Sequence, residues 1–432
     1  MTSEVKERRP GAPTALALLL GINLFNYIDR YILAAVEPNI RATFFAPGDP
    51  SAMAMTGSLA TAFLVTYMLS APALSWLIDR YSRWMIVGLC VLLWSVATAA
   101  SGLAATFALL FMSRIFIGIG EGGYGPAGPA ILSDYFPVQT RGRVMAVFCC
   151  AIPVGSALGY VLGGLINAQY GWRWAFYLVA LPGVILGLSC FLIRDPRMKE
   201  TRETRKRAGK QDYLTLLRTR AFVFNCMAQT AMTFALGGLA FWMPAYLIYR
   251  NQPPALATPV FGGITVVAGL LSTLLGGFVA DRIQSRFPGS YFLVSGLGML
   301  LAVPFFLMTL FVPFPVAWIT LFGAVFLVFL NTGPSNAALA NVAAPEVRAT
   351  AFALNILIIH ALGDAISPPL LGLIAGRWNM NVAFFVLSGA MLVSGIVWLL
   401  GMKYLALETA TVQAQPPPKS ETAGATHGRS CR

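Results

Sequence analysis

Twelve stretches of this chain are apolar for long enough to cross a hydrocarbon layer, and little between them is long enough to build a soluble domain. They run approximately over 14–36, 53–77, 84–104, 107–130, 143–168, 172–193, 220–249, 260–280, 291–311, 315–340, 350–375 and 381–405. A helix rises about 1.5 Å per residue, so a hydrocarbon core ~30 Å thick takes about 20 apolar residues. Only 11% of the 432 residues are charged and 57% are hydrophobic, whereas a soluble domain carries about 25% charged residues. The bilayer must therefore be the solvent for most of the chain. The expected fold class is an all-α membrane protein. The narrowest boundary is between the third and fourth runs, where only Ala105 and Thr106 intervene.

A formal charge of +13 would suggest nucleic acid in a soluble protein. Its distribution here argues against a nucleic-acid partner. With the N-terminus placed in the cytoplasm, 24 of the 30 Lys and Arg residues fall on the cytoplasmic side. Arg41, Arg173, Arg250 and Arg377 fall on the other, and Arg30 and Arg114 lie inside runs. This is the positive-inside bias, and it puts both termini in the cytoplasm of a multi-pass protein, expected in a bacterial inner (plasma) membrane. The basic loop between the sixth and seventh runs also suits contact with anionic membrane lipids.

Five of six cysteines (Cys90, Cys149, Cys150, Cys190 and Cys226) lie inside apolar runs without paired spacing; the sixth is Cys431. They read as small buried hydrophobes, not as a disulfide or metal framework. With two histidines in the whole chain and no nucleophile–base or metal spacing, no enzyme, cofactor or metal site is expected. The basic N-terminus lacks a small-residue cleavage site after its first run, so that run reads as a retained span.

The chain divides into an N-terminal tail 1–13, a six-run unit 14–193, a charged linker 194–219, a second six-run unit 220–405 and a tail 406–432. The tail, with Pro416, Pro417 and Pro418, is expected to be disordered. The two units resemble each other. Asp79-Arg80-Tyr-Ser-Arg83 follows the second run, and Asp281-Arg282-Ile-Gln-Ser-Arg286 follows the eighth, 202 residues on. Pro137 and Pro345 open the loops before the fifth run of each unit, and at the same offset of 208 the segment 155–166 meets 363–374. A parallel six-plus-six repeat resembles the major facilitator architecture, with a cavity between two six-helix bundles. In such a fold Asp79, Arg80 and Arg83, with Arg141, Asp281 and Arg282, would form a cytoplasmic gate that latches the bundles. Arg114, Gly118 and Gly122 stand four residues apart on the fourth run, as do Gly155, Gly159 and Gly163 on the fifth. The glycines suit close helix packing.

Ionisable groups in hydrocarbon are costly and are functional candidates by default. Asp29 and Arg30 lie in the first run, Arg114 and Glu121 in the fourth, and His360 with Asp364 in the eleventh; Glu37 reads as interfacial. Asp29 is 15 residues from the start of its run, about 22 Å deep, and Arg114, entering from the opposite face, reaches much the same level. If the first and fourth helices both line the cavity, two acids and two bases form one cluster of opposed pairs, which limits the desolvation cost. Movement that breaks a pair changes proton affinity, so Asp29 and Glu121 are the candidate proton-coupling residues. Arg30 and Arg114 complete the charge network and are candidates for a substrate anion. Asn26, Tyr31, Tyr124, Trp242, Asn331, His360 and Asp364 are further candidates for the cavity wall.

Two segments carry a closer resemblance. Residues 23–40, which open Asn-Leu-Phe-Asn-Tyr-Ile-Asp-Arg, and 114–137, which open Arg-Ile-Phe-Ile-Gly-Ile-Gly-Glu-Gly-Gly-Tyr, resemble the spinster group of the major facilitator superfamily. Organic-anion carriers of the sugar-acid type share the Asn-Tyr-x-Asp-Arg start. The resemblance implies a proton-linked carrier of lysolipids or sphingoid lipids, with Asp29 as the protonatable residue of the first helix. It implies that Arg30 tunes Asp29 or meets a lipid phosphate, and that Arg114 and Glu121 form the matching pair. Ser75 and Ser82 stand where the superfamily gate signature has glycine. The expectation is a monomeric proton-coupled transporter of an amphiphilic anion. A small organic anion such as a sugar acid is the alternative substrate, and a channel or receptor is disfavoured by the isolated charges and the lack of a soluble signalling domain.

Overall fold

The computed structural model describes residues 10–136, 138–193, 210–284, 286–343 and 347–413. Among them every regular element is helical. The first half contains α1 (Ala12–Phe44), α2 (Ala52–Arg80), α3 (Arg83–Leu103), α4 (Phe107–Tyr135), α5 (Val138–Tyr170) and α6 (Trp172–Cys190). A short α7 (Lys210–Arg218) precedes the second half. That half contains α8 (Arg220–Tyr249), α9 (Pro254–Gln284), α10 (Ser290–Phe311), α11 (Val316–Phe329), α12 (Thr332–Val342), α13 (Arg348–Ile359), α14 (Ser367–Arg377) and α15 (Met380–Gln413). A π-helical turn, His360–Asp364, links α13 to α14.

Eleven helical segments are long and apolar enough to cross a membrane. Two of them are interrupted helices: α11 with α12, and α13 with the π turn and α14. The run at 107–130 lies in α4, which is 29 residues long but carries Arg114, Glu121 and several glycines that lower its hydropathy. The narrow boundary before it is a true helix break. Thr106 caps α4 by accepting a hydrogen bond from Leu109 N at 3.3 Å, and Arg173 donates to the Ala104 carbonyl at 3.0 Å. Such partners satisfy helix-end groups that water cannot reach.

Two boundaries differ from the sequence expectation. Residues 210–218 of the linker form α7, and α15 runs on to Gln413, eight residues past the end expected for the last run. Its Glu408 carboxylate accepts the backbone N–H groups of Arg220 and Ala221, at 2.9 and 2.8 Å. That bond caps α8 and gives the extra turns of α15 a reason to persist. Residues 194–209 and 414–432 lie outside the described residues. The five described cysteines are free thiols.

Within the first half α1 packs on α5, α2 on α4, and α3 on α4 and α6. The α1–α5 approach is close: a Cβ at Gly159 would sit 2.7 Å from Ile28 O, so only glycine allows it. Between halves α5 packs on α9, α2 on α14 and α1 on α8. Thr61 Oγ1 donates to Ala365 O at 2.5 Å, and Tyr160 OH donates to Ala240 O at 2.6 Å. The Tyr160 ring also meets Phe261 edge-on, with centroids 4.9 Å apart. All these residues lie toward the ends of their helices remote from the termini. The halves thus meet on that far side.

Gly372 marks the tightest part of this seam. A Cβ there would stand 2.3 Å from Met53 O and 2.8 Å from the Trp242 ring. Gly372→Leu is therefore expected to lower stability by about 1–3 kcal/mol through overpacking and to part the halves on the far side. Thermal unfolding, and thiol labelling of a cysteine placed at Thr61, would register both effects. Gly263→Leu, where a Cβ meets nothing within 4 Å, should change neither.

Candidate functional site

The site starts from two neighbouring residues on α1. Successive helical residues point about 100° apart, so Asp29 and Arg30 project in different directions. Asp29 turns into the first half. One of its carboxylate oxygens accepts a hydrogen bond from the Thr98 hydroxyl on α3, and the other lies 4.0 Å from Arg114 Nη1 on α4. Arg114 also donates to Ser101 Oγ at 2.7 Å. The Ser101 and Ser113 hydroxyls are 2.8 Å apart, and the Arg114 guanidinium stands 5.1 Å from the centre of the Phe176 ring.

Arg30 turns toward the boundary between the halves. Its Nε donates to Glu121 Oε2 at 2.7 Å. Three rings surround the guanidinium: Tyr27 at 5.0 Å, Phe63 at 4.9 Å and Tyr67 at 5.1 Å. A cation over a ring face gains about 0.5–2 kcal/mol, more as water is excluded. Arg30 keeps 23% of its side chain accessible, while Glu121 has none. The four charges thus form two ion pairs along the α1–α4 seam, one internal and one at the boundary, near enough to act on each other. Asp29 Oδ1, Glu121 Oε1, Arg114 Nε and Asn26 Nδ2 are buried without a hydrogen-bond partner among the described residues. Buried polar atoms of this kind are rare and call for an explanation. Each carboxylate thus has one oxygen outside the hydrogen bonds from Thr98 and Arg30.

Arg30 and Tyr31 face Ala240, Phe241 and Asp364 across a cleft of about 100 Å³ between the halves. Asp364 is held by His360, whose Nδ1 lies 2.9 and 3.0 Å from its two oxygens. Both sit on the π-helical turn, where the Ala365 N–H reaches back to His360 O. Such turns recur at functional sites because they re-aim side chains. Tyr31 also packs edge-on against Tyr160, with centroids 5.1 Å apart.

Other expected cavity residues are placed elsewhere. Tyr124 donates to Leu19 O at 2.8 Å and packs on Trp94. Asn331 is bonded to the Val328 carbonyl in the break between α11 and α12 and faces the Met299 sulfur. Trp242 donates to Pro368 O at 2.8 Å and closes the far-side seam. None of these three lines the cleft beside Arg30, and each donates to nearby backbone instead. Asn26 is buried. Glu37, near the outer end of α1, is enclosed by protein: it is 1% exposed, accepts a hydrogen bond from Thr56 Oγ1 at 2.7 Å and pairs with Arg41 at 3.3 Å.

Three of the expected gate residues make contacts inside their own halves. Arg83 is buried against Asp134, at 2.6 Å, joining the start of α3 to the end of α4. Arg80 lies over the Trp76 ring at 3.9 Å. Asp281 accepts a hydrogen bond from Tyr291 OH at 2.9 Å, and Arg282 is exposed. The side chains of Asp79 and Arg141, and residues Pro137 and Pro345, lie outside the described residues. Sequence reading missed Thr98, Ser101 and Asp134. Thr98 and Ser101 are three apart in an apolar run, which was an available sign of a polar face. It also missed Phe63 and Tyr67, whose i, i+4 spacing sets two rings on one helix face.

Comparison with known proteins gives this geometry a lineage. The Major Facilitator Superfamily model matches residues 19–364. Spinster homolog 3 of Danio rerio is 34% identical over 403 residues, covering 87% of this chain and 78% of the relative. The chain belongs to the spinster group of the major facilitator superfamily. Human spinster homolog 1 is 33% identical over 392 residues, 85% of this chain and 73% of its own. The sphingosine-1-phosphate transporter SPNS2 of Xenopus tropicalis is 32% identical over 439 residues, 95% of this chain and 84% of its own. Among solved structures, a bacterial homolog of the human lysosomal transporter Spinster, inward-facing and unoccupied, gives a TM-score of 0.78 at 20% identity, covering 94% of this chain and 98% of that one. A D-xylose–proton symporter gives 0.70 at 17%, covering 91% and 96%. At these identities the two structures speak for the fold alone. This spinster-group chain is thus a multi-pass membrane transporter, not an enzyme, and the segments 23–40 and 114–137 that carried the resemblance are the two helices of the charged seam.

Removing one member of a buried pair costs about 3–5 kcal/mol, because the other charge is left uncompensated. Arg114→Ala is expected to lose that much stability in detergent, read as a fall in thermal midpoint, whereas Asp29→Asn with Arg114→Gln should recover most of it. An Arg114→Ala protein as stable as wild type would show that the pair is dispensable.

Proposed function

We propose that this chain is a proton-coupled secondary transporter that moves a lysolipid, sphingoid lipid or similar amphiphilic anion by alternating access. The observation that carries the reading is the placing of Arg30. It stands at the boundary between the halves, held by one carboxylate and three aromatic rings. A phosphate or carboxylate arriving there competes with Glu121 for the guanidinium. When Arg30 is drawn to the substrate, Glu121 becomes an unpaired buried charge, and a proton taken up at its open oxygen cancels that charge. Anion and proton then cross together. Asp29, bound by Thr98 and facing Arg114, is the second proton acceptor, coupled to the first through adjacent positions on α1. The rings that hold Arg30 also supply apolar surface for the first part of a lipid tail. The sphingosine-1-phosphate transporter among the relatives supports the substrate class.

Both halves belong to one chain, so a monomer suffices. The basic loops on the side of the termini support insertion with cytoplasmic ends, as in a bacterial inner membrane.

The test is uptake into proteoliposomes under an inward proton gradient, with labelled lysophospholipid and labelled hexuronate in parallel. Wild type should accumulate the lysolipid faster with the gradient than without it. Asp29→Asn and Glu121→Gln should each lose that acceleration while still binding lysolipid. Gradient-driven hexuronate uptake without lysolipid uptake would replace the substrate assignment. A wild-type flux indifferent to the gradient would remove proton coupling.

A further inference from the structure

A second apolar recess lies away from the charged seam. It is a groove of about 480 Å³ whose floor is α8, with Leu217 of α7 at one end, Ile358 and Leu362 on one side and Ala390 and Val393 of α15 on the other. Met227, Leu362 and Val393 are each more than half exposed along it. Thr230 is the hydroxyl on its wall, and that hydroxyl already donates to Cys226 O at 2.7 Å. Nothing in the lining therefore asks for a polar ligand. Along α8 the groove extends from Phe222 to Phe234, twelve residues, about 18 Å. That is close to the depth of one leaflet, half of a hydrocarbon core ~30 Å thick.

The charge at one end of the groove is complementary to an anion. Arg218, Arg220 and Lys403 are exposed where α7, α8 and α15 meet on the terminal side. Arg220 and Lys403 both stand over the Tyr404 ring, at 5.2 and 5.0 Å, and Tyr404 stacks on Phe224 of α8. Among the described side chains the acid beside them is Glu408, and its two oxygens are bound by the N–H groups that open α8. Val393 lies ten residues before Lys403 on α15, about 15 Å deeper. The short α7 exposes Leu214 and Leu217, as expected of a helix lying at the headgroup boundary.

We propose that this groove is a binding site for an anionic glycerophospholipid of the leaflet on the terminal side. One acyl chain lies along α8 between Ile358 and Val393, and the phosphate rests on the Arg218, Arg220 and Lys403 cluster. Two signals act together, an apolar chain slot and a basic patch, which is the combination that gives firm lipid attachment. The chain end lies against Leu362, a residue of the π-helical turn that carries His360 and Asp364. Occupancy therefore braces the turn from the side opposite the cleft. The site is distinct from the transport site and does not depend on which substrate is carried.

The experiment measures the thermal midpoint of the purified full-length chain in detergent, with added dioleoyl phosphatidylglycerol or dioleoyl phosphatidylcholine. A ligand that binds only the folded state raises its midpoint with concentration. Wild type should gain several degrees more from phosphatidylglycerol. The Arg218→Gln, Arg220→Gln, Lys403→Gln triple variant, altered only at exposed positions, should show equal shifts with the two lipids. Ala231→Phe, which fills the groove and leaves the cations in place, should lose the phosphatidylglycerol shift. Equal shifts in wild type, a retained preference in either variant, or the same stabilisation from inorganic phosphate alone would each overturn the proposal.

Discussion

A charge inside a bundle surrounded by hydrocarbon must find its counter-charge within the protein. The first half meets that constraint with two arginines and two carboxylates on α1 and α4. Their presence requires α1 and α4 to keep their relative depth, and the polar side chains of α3 complete the arrangement. Thr98 binds the carboxylate and Ser101 the guanidinium of the inner pair. Much of the local packing can be read from that requirement. Close glycine contacts bring α5 against α1, and α6 supplies the Phe176 face to Arg114. A buried ion pair adds little net stability against an apolar replacement. Retaining two of them in a helix seam is therefore hard to explain by stability, and the position of the Arg30–Glu121 pair at the boundary between the halves suits a functional role.

The two halves handle polarity differently despite their repeated plan. The first concentrates its charge on unbroken helices. The second interrupts its helices instead, once between α11 and α12 and once at the π turn before α14, and its cleft-facing charge is the His360–Asp364 pair. Irregular backbone is tolerated at membrane depth where protein or a cavity surrounds it. The π turn lies beside the cleft and carries that pair, so the deviation from regular helix falls where the two halves face each other.

The gate motifs also tie helices together inside each half. Asp79-Arg80 and Asp281-Arg282 occupy matching places in the two halves, and beside them Arg83 is buried against Asp134 and Asp281 is bound by Tyr291. Each of these bonds links helices of one half at its terminal-side end. They stiffen the bundle as a body that can tilt. Among the described residues, the far-side contacts between halves combine close backbone approach, Gly372 against Met53 and Thr61 against Ala365, with the Tyr160 and Trp242 rings. Weak, close and numerous contacts of this type can be opened without exposing an unpaired charge.

The apolar runs, the two-half plan and the identities of the four seam charges were legible in the chain itself, because length and hydropathy report directly on what the bilayer requires of each segment. The spinster resemblance was legible for a related reason: it lies in the two helices whose charges constrain their neighbours most. Pairing was not legible. Asp29 and Arg30 are adjacent in sequence and point about 100° apart, and which helix waits in each direction depends on how six helices pack. That is why Thr98, Asp134 and the rings around Arg30 were missed, why Glu37 proved buried, and why Tyr124 and Asn331 proved to be tied to nearby backbone. One-dimensional patterning sets which face of a helix is polar. Only the three-dimensional packing decides what meets that face, since a partner's position is fixed by backbone approach and not by its own sequence.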